Sequence, residues 1–114
     1  MQKITPSIYR VEAGEQITLE IEATGVRNFA IFVVDGVLIP SVPGSVPQTY
    51  QPFTVTVGPG STHFGRVDAH FPDDAPDDAH YQLFLTGSAG GGRFKGSDIK
   101  KTNLSHVRGL EFQR

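Results

Sequence analysis

The sequence predicts an all-β protein of about seven or eight strands. The chain has 13 glycines and 8 prolines, and they fall between short apolar runs, as turn residues do between strands. Several of these runs alternate apolar and polar residues, the period of two that is typical of half-buried strands. We find no helical spacing of useful length and no internal repeat.

The N-terminal half supplies two strands and a hairpin. Residues 3–11 form the first run, and Pro6 within it cannot donate to a ladder, which places this run at a sheet edge. Asp35-Gly36 predicts a tight hairpin between the apolar runs 28–34 and 37–39. A strand that alternates apolar and polar residues lies between the first run and this hairpin. Its apolar side is made by Ile17, Leu19, Ile21 and Ala23.

The C-terminal half is predicted to hold four strands. A proline-rich connection covers residues 40–52, and strands are predicted within 49–57, 63–71, 81–85 and 104–112. The glycine-rich stretch 87–97 is predicted to be a loop. In the last strand the apolar parity switches between Val107 and Leu110, which predicts a bulge near Arg108-Gly109.

Length and composition bound the protein class. A chain of 114 residues fits one domain, residues 1–114. The absence of cysteine removes disulfide and thiolate chemistry and favours, weakly, a reducing compartment such as the cytoplasm. A net charge of -2 gives no reason to expect a nucleic acid or a membrane as partner. We expect no signal peptide within residues 1–25 and no membrane-spanning segment.

The most informative motif is Asp-x-Ala-x-Tyr-x-Leu, formed by residues 77–83, with Tyr81 just inside a predicted strand. It resembles the tyrosine corner of immunoglobulin-like domains, and Asp77 stands at the acidic position of that motif. The alternating strand around Ile21 likewise resembles strand B of those domains. The chain is therefore similar to an immunoglobulin-like or fibronectin type III-like Greek-key sandwich, and a jelly roll or another β-sandwich is the alternative.

The resemblance has structural implications. Ile21 and Leu83 stand where antibody domains have their two cysteines, and Phe32 stands at about the spacing of the core tryptophan. It implies that these three side chains meet across the two sheets. It also implies that the Tyr81 hydroxyl bonds to backbone a few residues upstream, near residues 73–78.

The lack of catalytic and metal-binding motifs in the sequence favours a non-enzymatic protein without cofactor. The glycines of 87–92 follow a strand but precede no helix, so they do not predict a phosphate loop, although Arg93 and Lys95 offer a weak anion contact. The carboxylates of 73–78 lack the pattern of an EF-hand and fit turns that cap their own backbone. The histidines have no zinc spacing and are expected at the surface: His63, His70, His80 and His106.

Four apolar residues suggest an interface. In the resemblance, residues 28–34 correspond to strand C and residues 81–85 to strand F. If Phe32 faces the core, then its neighbours on strand C face outward, and so does one residue of strand F, which gives the set Phe29, Ile31, Val33 and Phe84. Strands C and F are neighbours in immunoglobulin-like domains, so these residues would form one apolar patch. We therefore expect an interaction or assembly module, most simply a homodimer. The alternative is a small-ligand or carbohydrate-binding module.

Overall fold

Eleven strands account for most of the described part of the chain. The computed structural model describes residues 1–25 and 62–114 in full, and the backbone alone of 30–34, 37–40 and 48–56. The strands are β1 (Gln2–Thr5), β2 (Ile8–Arg10), β3 (Gln16–Thr24), β4 (Ala30–Val34), β5 (Val37–Pro40), β6 (Gln48–Thr56), β7 (Thr62–Ala69), β8 (His80–Gly87), β9 (Arg93–Lys95), β10 (Ile99–Lys100) and β11 (Val107–Gln113). These residues include no helix, so the predicted all-β class is confirmed.

The strands form two sheets. The first has six strands in the order β1-β2-β11-β7-β4-β5, and its neighbours are antiparallel except for the parallel pair β2 and β11. The second has the order β10-β8-β3-β6, and β9 also pairs with β8. Because β3 occupies one side of β8 along its length, β9 and β10 share the other side and form one interrupted edge.

The core lies between the sheets and is built by alternation. In β3 the four predicted inward residues are buried, and in β8 so are Tyr81, Leu83 and Leu85. The six-stranded sheet contributes Tyr9, Val67 and Phe112 to the same cluster. Two sheets that share one apolar cluster are consistent with a β-sandwich.

The N-terminal run lies at a sheet edge, as predicted, but it is two strands rather than one. The chain turns at Pro6 and Ser7, so that β1 folds back on β2. The Tyr9 hydroxyl donates a hydrogen bond to the Pro6 carbonyl oxygen at 2.9 Å. The turn therefore lies where the missing proline N–H is not needed by a ladder.

The predicted hairpin pairs as expected. β4 and β5 are antiparallel, with Val34 opposite Val37. Asp35 and Gly36 lie outside the described residues.

The predicted adjacency of strands C and F is wrong. β4, which corresponds to C, has β5 and β7 as neighbours, whereas β8, which corresponds to F, lies in the other sheet between β3 and the β9–β10 edge. Immunoglobulin-like topology was inferred from motif spacing, and spacing along a chain does not determine which strands pair.

The predicted contact of Ile21 and Leu83 across the sheets is also wrong. Both residues are buried, but they are direct partners within one sheet, on β3 and β8. Phe32 belongs to the other sheet, opposite Val67, and only its backbone is described. The pair therefore stabilises the ladder between two neighbouring strands.

Two details of the C-terminal half differ from expectation. β11 pairs with β7 in unbroken register from Val107 to Gln113, without the predicted bulge. The parity switch needs no bulge because Val107 is simply exposed, at 40%. The glycine-rich stretch is not wholly a loop, since it contains β9.

Contrary to the expectation of no internal repeat, the chain contains one short tandem repeat. The sequence Pro-Asp-Asp-Ala occurs at 72–75 and again at 76–79. Each copy closes a turn in which the alanine N–H donates to the proline carbonyl, at 2.9 Å for Ala75 and 3.0 Å for Ala79. Both alanines are buried and all four aspartates are exposed, so the repeat presents carboxylates to solvent on a fixed backbone.

Candidate interaction surface

The outer face of the six-stranded sheet carries the most exposed apolar ring within a strand of the described chain. In β7 buried and exposed residues alternate, so Thr62, Phe64 and Arg66 lie on the outer side. Phe64 is 66% exposed although β7 is an interior strand, flanked by β11 and β4. Because β7 is an interior strand, the ring lies in the middle of the sheet face and not at its margin.

Mixed polar and apolar groups surround Phe64. Its partner on β11 is Glu111, and two positions further along β7 comes Arg66, whose Nε lies 2.9 Å from an Asp68 carboxylate oxygen. Val107, the partner of Asp68 on β11, is exposed as well. An apolar centre with a charged rim is the usual composition of a protein interface.

Two of the predicted interface residues belong to this sheet. Ile31 and Val33 of β4 are the register partners of Asp68 and Arg66. For these two residues the structure describes the backbone alone, and Phe29 lies outside the described residues.

The fourth predicted residue, Phe84, lies on the other sheet and does not join them. It is half-buried, and the guanidinium carbon of Arg93 lies 3.7 Å from the centroid of its ring. Arg93 also donates to the carboxylates of Glu20 and Glu22, at 3.3 and 3.5 Å. The ring is therefore covered by a cation–π contact that carboxylates hold in place.

Sequence reasoning missed Phe64, although the signal was present. Phe64 lies three residues before Val67, and an odd separation within a strand places two residues on opposite faces. With Val67 assigned to the core, Phe64 had to face outward.

The two predicted corner residues, Tyr81 and Asp77, differ in burial. Tyr81 is fully buried, and its hydroxyl donates to the His70 carbonyl oxygen at 2.8 Å, eleven residues upstream. Its ring meets the edge of Phe71, with centroids 5.2 Å apart. The bond thus reaches back across the whole Pro-Asp-Asp-Ala repeat, further than the motif implies. Asp77 is exposed within that repeat.

Glu15 is a buried carboxylate that the sequence analysis did not single out. One oxygen accepts from the Met1 ammonium at 2.6 Å and from the Ala89 N–H at 3.2 Å, and the other accepts from the Glu12 N–H at 2.9 Å. Burial alone would raise the pKa of Glu15, but these hydrogen bonds and the ammonium charge outweigh it and lower the pKa.

The glycine-rich turn fits closely around this carboxylate. A Cβ at Gly87 would overlap the Glu15 carboxylate, and one at Gly91 would overlap the Met1 carbonyl oxygen. Gly91 also has a φ of 94°, a conformation that favours glycine. These glycines therefore pack a turn against the N-terminal segment, a structural reason for their presence.

Within residues 1–25 and 62–114, no three His, Asp or Glu side chains are grouped so that they could hold a metal ion. The described chain contains no helix of sufficient length and apolarity to cross a membrane. Comparisons with family models, curated proteins and solved structures found no match.

Proposed function

We propose that this protein is a non-enzymatic interaction or assembly module that self-associates through the outer face of its six-stranded sheet. The observation that carries the proposal is the exposure of Phe64 on an interior strand. Contiguous exposed apolar groups are typical of protein interfaces, and Val107, exposed on the neighbouring strand β11, lies on the same outer face as Phe64.

A second copy of the chain is the simplest partner. Two-fold pairing places the same face on both subunits, so each Phe64 ring would be covered by its counterpart or by the apolar groups beside it. Burying the exposed part of one ring contributes on the order of 2–3 kcal/mol. Two rings thus supply about 5 kcal/mol, and the neighbouring residues must offset the entropy lost on association.

Sedimentation equilibrium tests the proposal with a matched pair of variants. Phe64→Lys places a charge at the centre of the face and should convert a wild-type dimer to monomer. Leu104→Lys makes the same change at a fully exposed apolar residue outside the strands and should leave the dimer intact.

Two results would contradict the proposal. A wild type that is monomeric at about 100 μM has a self-affinity weaker than about 5–6 kcal/mol, too weak for an assembly contact. Equal dissociation by both variants would show that the contact does not involve the outer face of the six-stranded sheet.

A further inference from the structure

We propose that a hollow at the interrupted edge of the five-stranded sheet binds a phosphate group or a similar small oxyanion. This edge hollow is open to solvent and measures about 400 Å³. It is lined by Lys95, Gly96, Ser97, Asp98, Lys100, Asn103 and Arg108. Arg108 belongs to β11 of the six-stranded sheet, but it follows the outward-facing Val107 and so lies on the opposite face from Phe64. The inference is therefore independent of the self-association surface.

The hollow results from an extra residue in the edge. Lys95 pairs with Phe84 and Ile99 pairs with Tyr81, so three edge residues, 96–98, stand opposite the two residues Gln82 and Leu83 of β8. The Gly96 N–H still donates to the Leu83 carbonyl at 2.9 Å, and Ile99 is fully buried. Because both ends are fixed, the extra residue bulges outward, and such bulges re-aim side chains at sheet edges.

Positive charge dominates the lining. Lys95, Lys100 and Arg108 face a single carboxylate, that of Asp98, which lies 3.6 Å from the Lys95 ammonium. Asp98 thus offsets Lys95 and leaves the charges of Lys100 and Arg108 for a ligand. One N–H of Arg108 donates to the Val107 carbonyl at 3.1 Å, and a guanidinium carries four more donors.

Neutral donors complete the hollow. Ser97 lines it from the bulge, and Asn103 lines it from a turn that the Asn103 N–H closes on the Lys100 carbonyl at 3.1 Å. Arginine, lysine, hydroxyl and amide groups together are the side chains that bind tetrahedral oxyanions.

The surroundings favour a small anion over a polyanion. A second hollow of about 320 Å³ adjoins this one, shares Asp98 and Lys100 with it, and is also lined by Asp77 and Asp78. Those carboxylates would repel a nucleic acid or an anionic membrane laid across the edge, because both extend beyond the hollow. A single phosphate group within the edge hollow avoids them.

The test is an NMR titration of the full chain with inorganic phosphate and, separately, with pyrophosphate at constant ionic strength. The expected result is saturable shifts of the backbone amides of residues 96–103 and of Arg108. Chloride at the same ionic strength should not reproduce them. If pyrophosphate saturates the shifts at a much lower concentration than phosphate does, the ligand is of the phosphoester type. Equal affinities for the two anions would identify free phosphate.

Variants separate the hollow from general surface charge. Lys100→Gln should weaken phosphate binding at least about tenfold, because it removes a charge-assisted hydrogen bond to the anion. Arg66→Gln, which removes a charge from the outer face of the other sheet, should not change it. Shifts scattered over all lysines, no saturation by about 10 mM, or equal loss in both variants would overturn the proposal.

Discussion

The Tyr81 hydroxyl and the His70 carbonyl oxygen, 2.8 Å apart, close the two ends of the Pro-Asp-Asp-Ala repeat. His70 follows β7 of one sheet, and Tyr81 lies in β8 of the other. The bond therefore joins the end of β7 to the start of β8, where the chain crosses from one sheet to the other. Lys101 strengthens this crossing, because its ammonium donates to the carbonyl oxygens of Asp73 and Ala75.

Removal of this hydroxyl should destabilise the fold slightly. Tyr81→Phe keeps the ring against Phe71 but leaves the His70 carbonyl without this donor, at a cost of about 1 kcal/mol. Urea denaturation measures the change as a lower midpoint at unchanged slope. An unchanged midpoint would show that the bond does not contribute to stability.

Truncation of Leu83 should be far more damaging. The side chain is fully buried and pairs with Ile21, so Leu83→Ala leaves a cavity and should cost about 2–5 kcal/mol. That is a large part of the stability of a domain this small. Leu104→Ala, at a fully exposed position, is the control and should leave the urea midpoint unchanged.

Glu15 should make the fold sensitive to acid. Its pKa is lowered in the folded state, so its stabilising contribution is present above the unfolded value of about 4.3 and disappears as pH falls through the folded pKa. Thermal melts of the wild type and Glu15→Gln between pH 7 and pH 2.5 measure this contribution. The variant should be less stable at pH 7, and the two melting temperatures should converge in acid. A constant difference across that range would contradict the assignment.

Tyr9 should resist ionisation. Burial raises the pKa of Tyr9 to about 12, above the ordinary value of 10.0. Because the folded pKa is the higher one, stability should be unaffected below pH 10 and should fall as pH rises through about 12. Absorbance of the phenolate follows the titration, and Tyr9→Phe should remove the component near pH 12. Its persistence in the variant would assign it to another tyrosine.

Calcium should not bind stoichiometrically to the acidic repeat. The carbonyl oxygens of Asp73 and Ala75 already accept hydrogen bonds from the Lys101 ammonium. Calorimetry with CaCl₂ should show no saturable heat. A signal of millimolar or tighter affinity, abolished by joint Asp74→Asn and Asp77→Asn substitution, would contradict this expectation.

Local pattern was sufficient for the strands and for most of the core. The alternation from Ile17 to Ala23 and from Tyr81 to Leu85 identified buried positions, because the side-chain period of a strand is a property of its backbone. The hairpin of β4 and β5 followed from Asp-Gly for a similarly local reason.

Strand pairing could not be read from the chain in the same way. Whether β8 neighbours β4 or β3 depends on which apolar faces fit together across the core, a sum of contacts distant in sequence. The analogy with immunoglobulin-like domains supplied one answer, and the fold has another. The prediction that Phe84 forms one patch with Ile31 and Val33 required strands C and F to be neighbours, and it is therefore wrong.

For the candidate sites, too, some features follow from local sequence and others follow from strand pairing. The order of residues is enough to place Phe64 and Val67 on opposite faces of a strand and to show that basic residues are frequent after residue 92. Three other facts depend on how the strands pack: Phe64 lies on an interior strand, Glu15 accepts a hydrogen bond from the Met1 ammonium, and Lys95, Lys100 and Arg108 line one hollow. Each of these three facts brings together segments that are distant in sequence. Sheet order and the edge bulge determine how close those segments lie, and neither feature produces a periodic pattern of residues in the sequence.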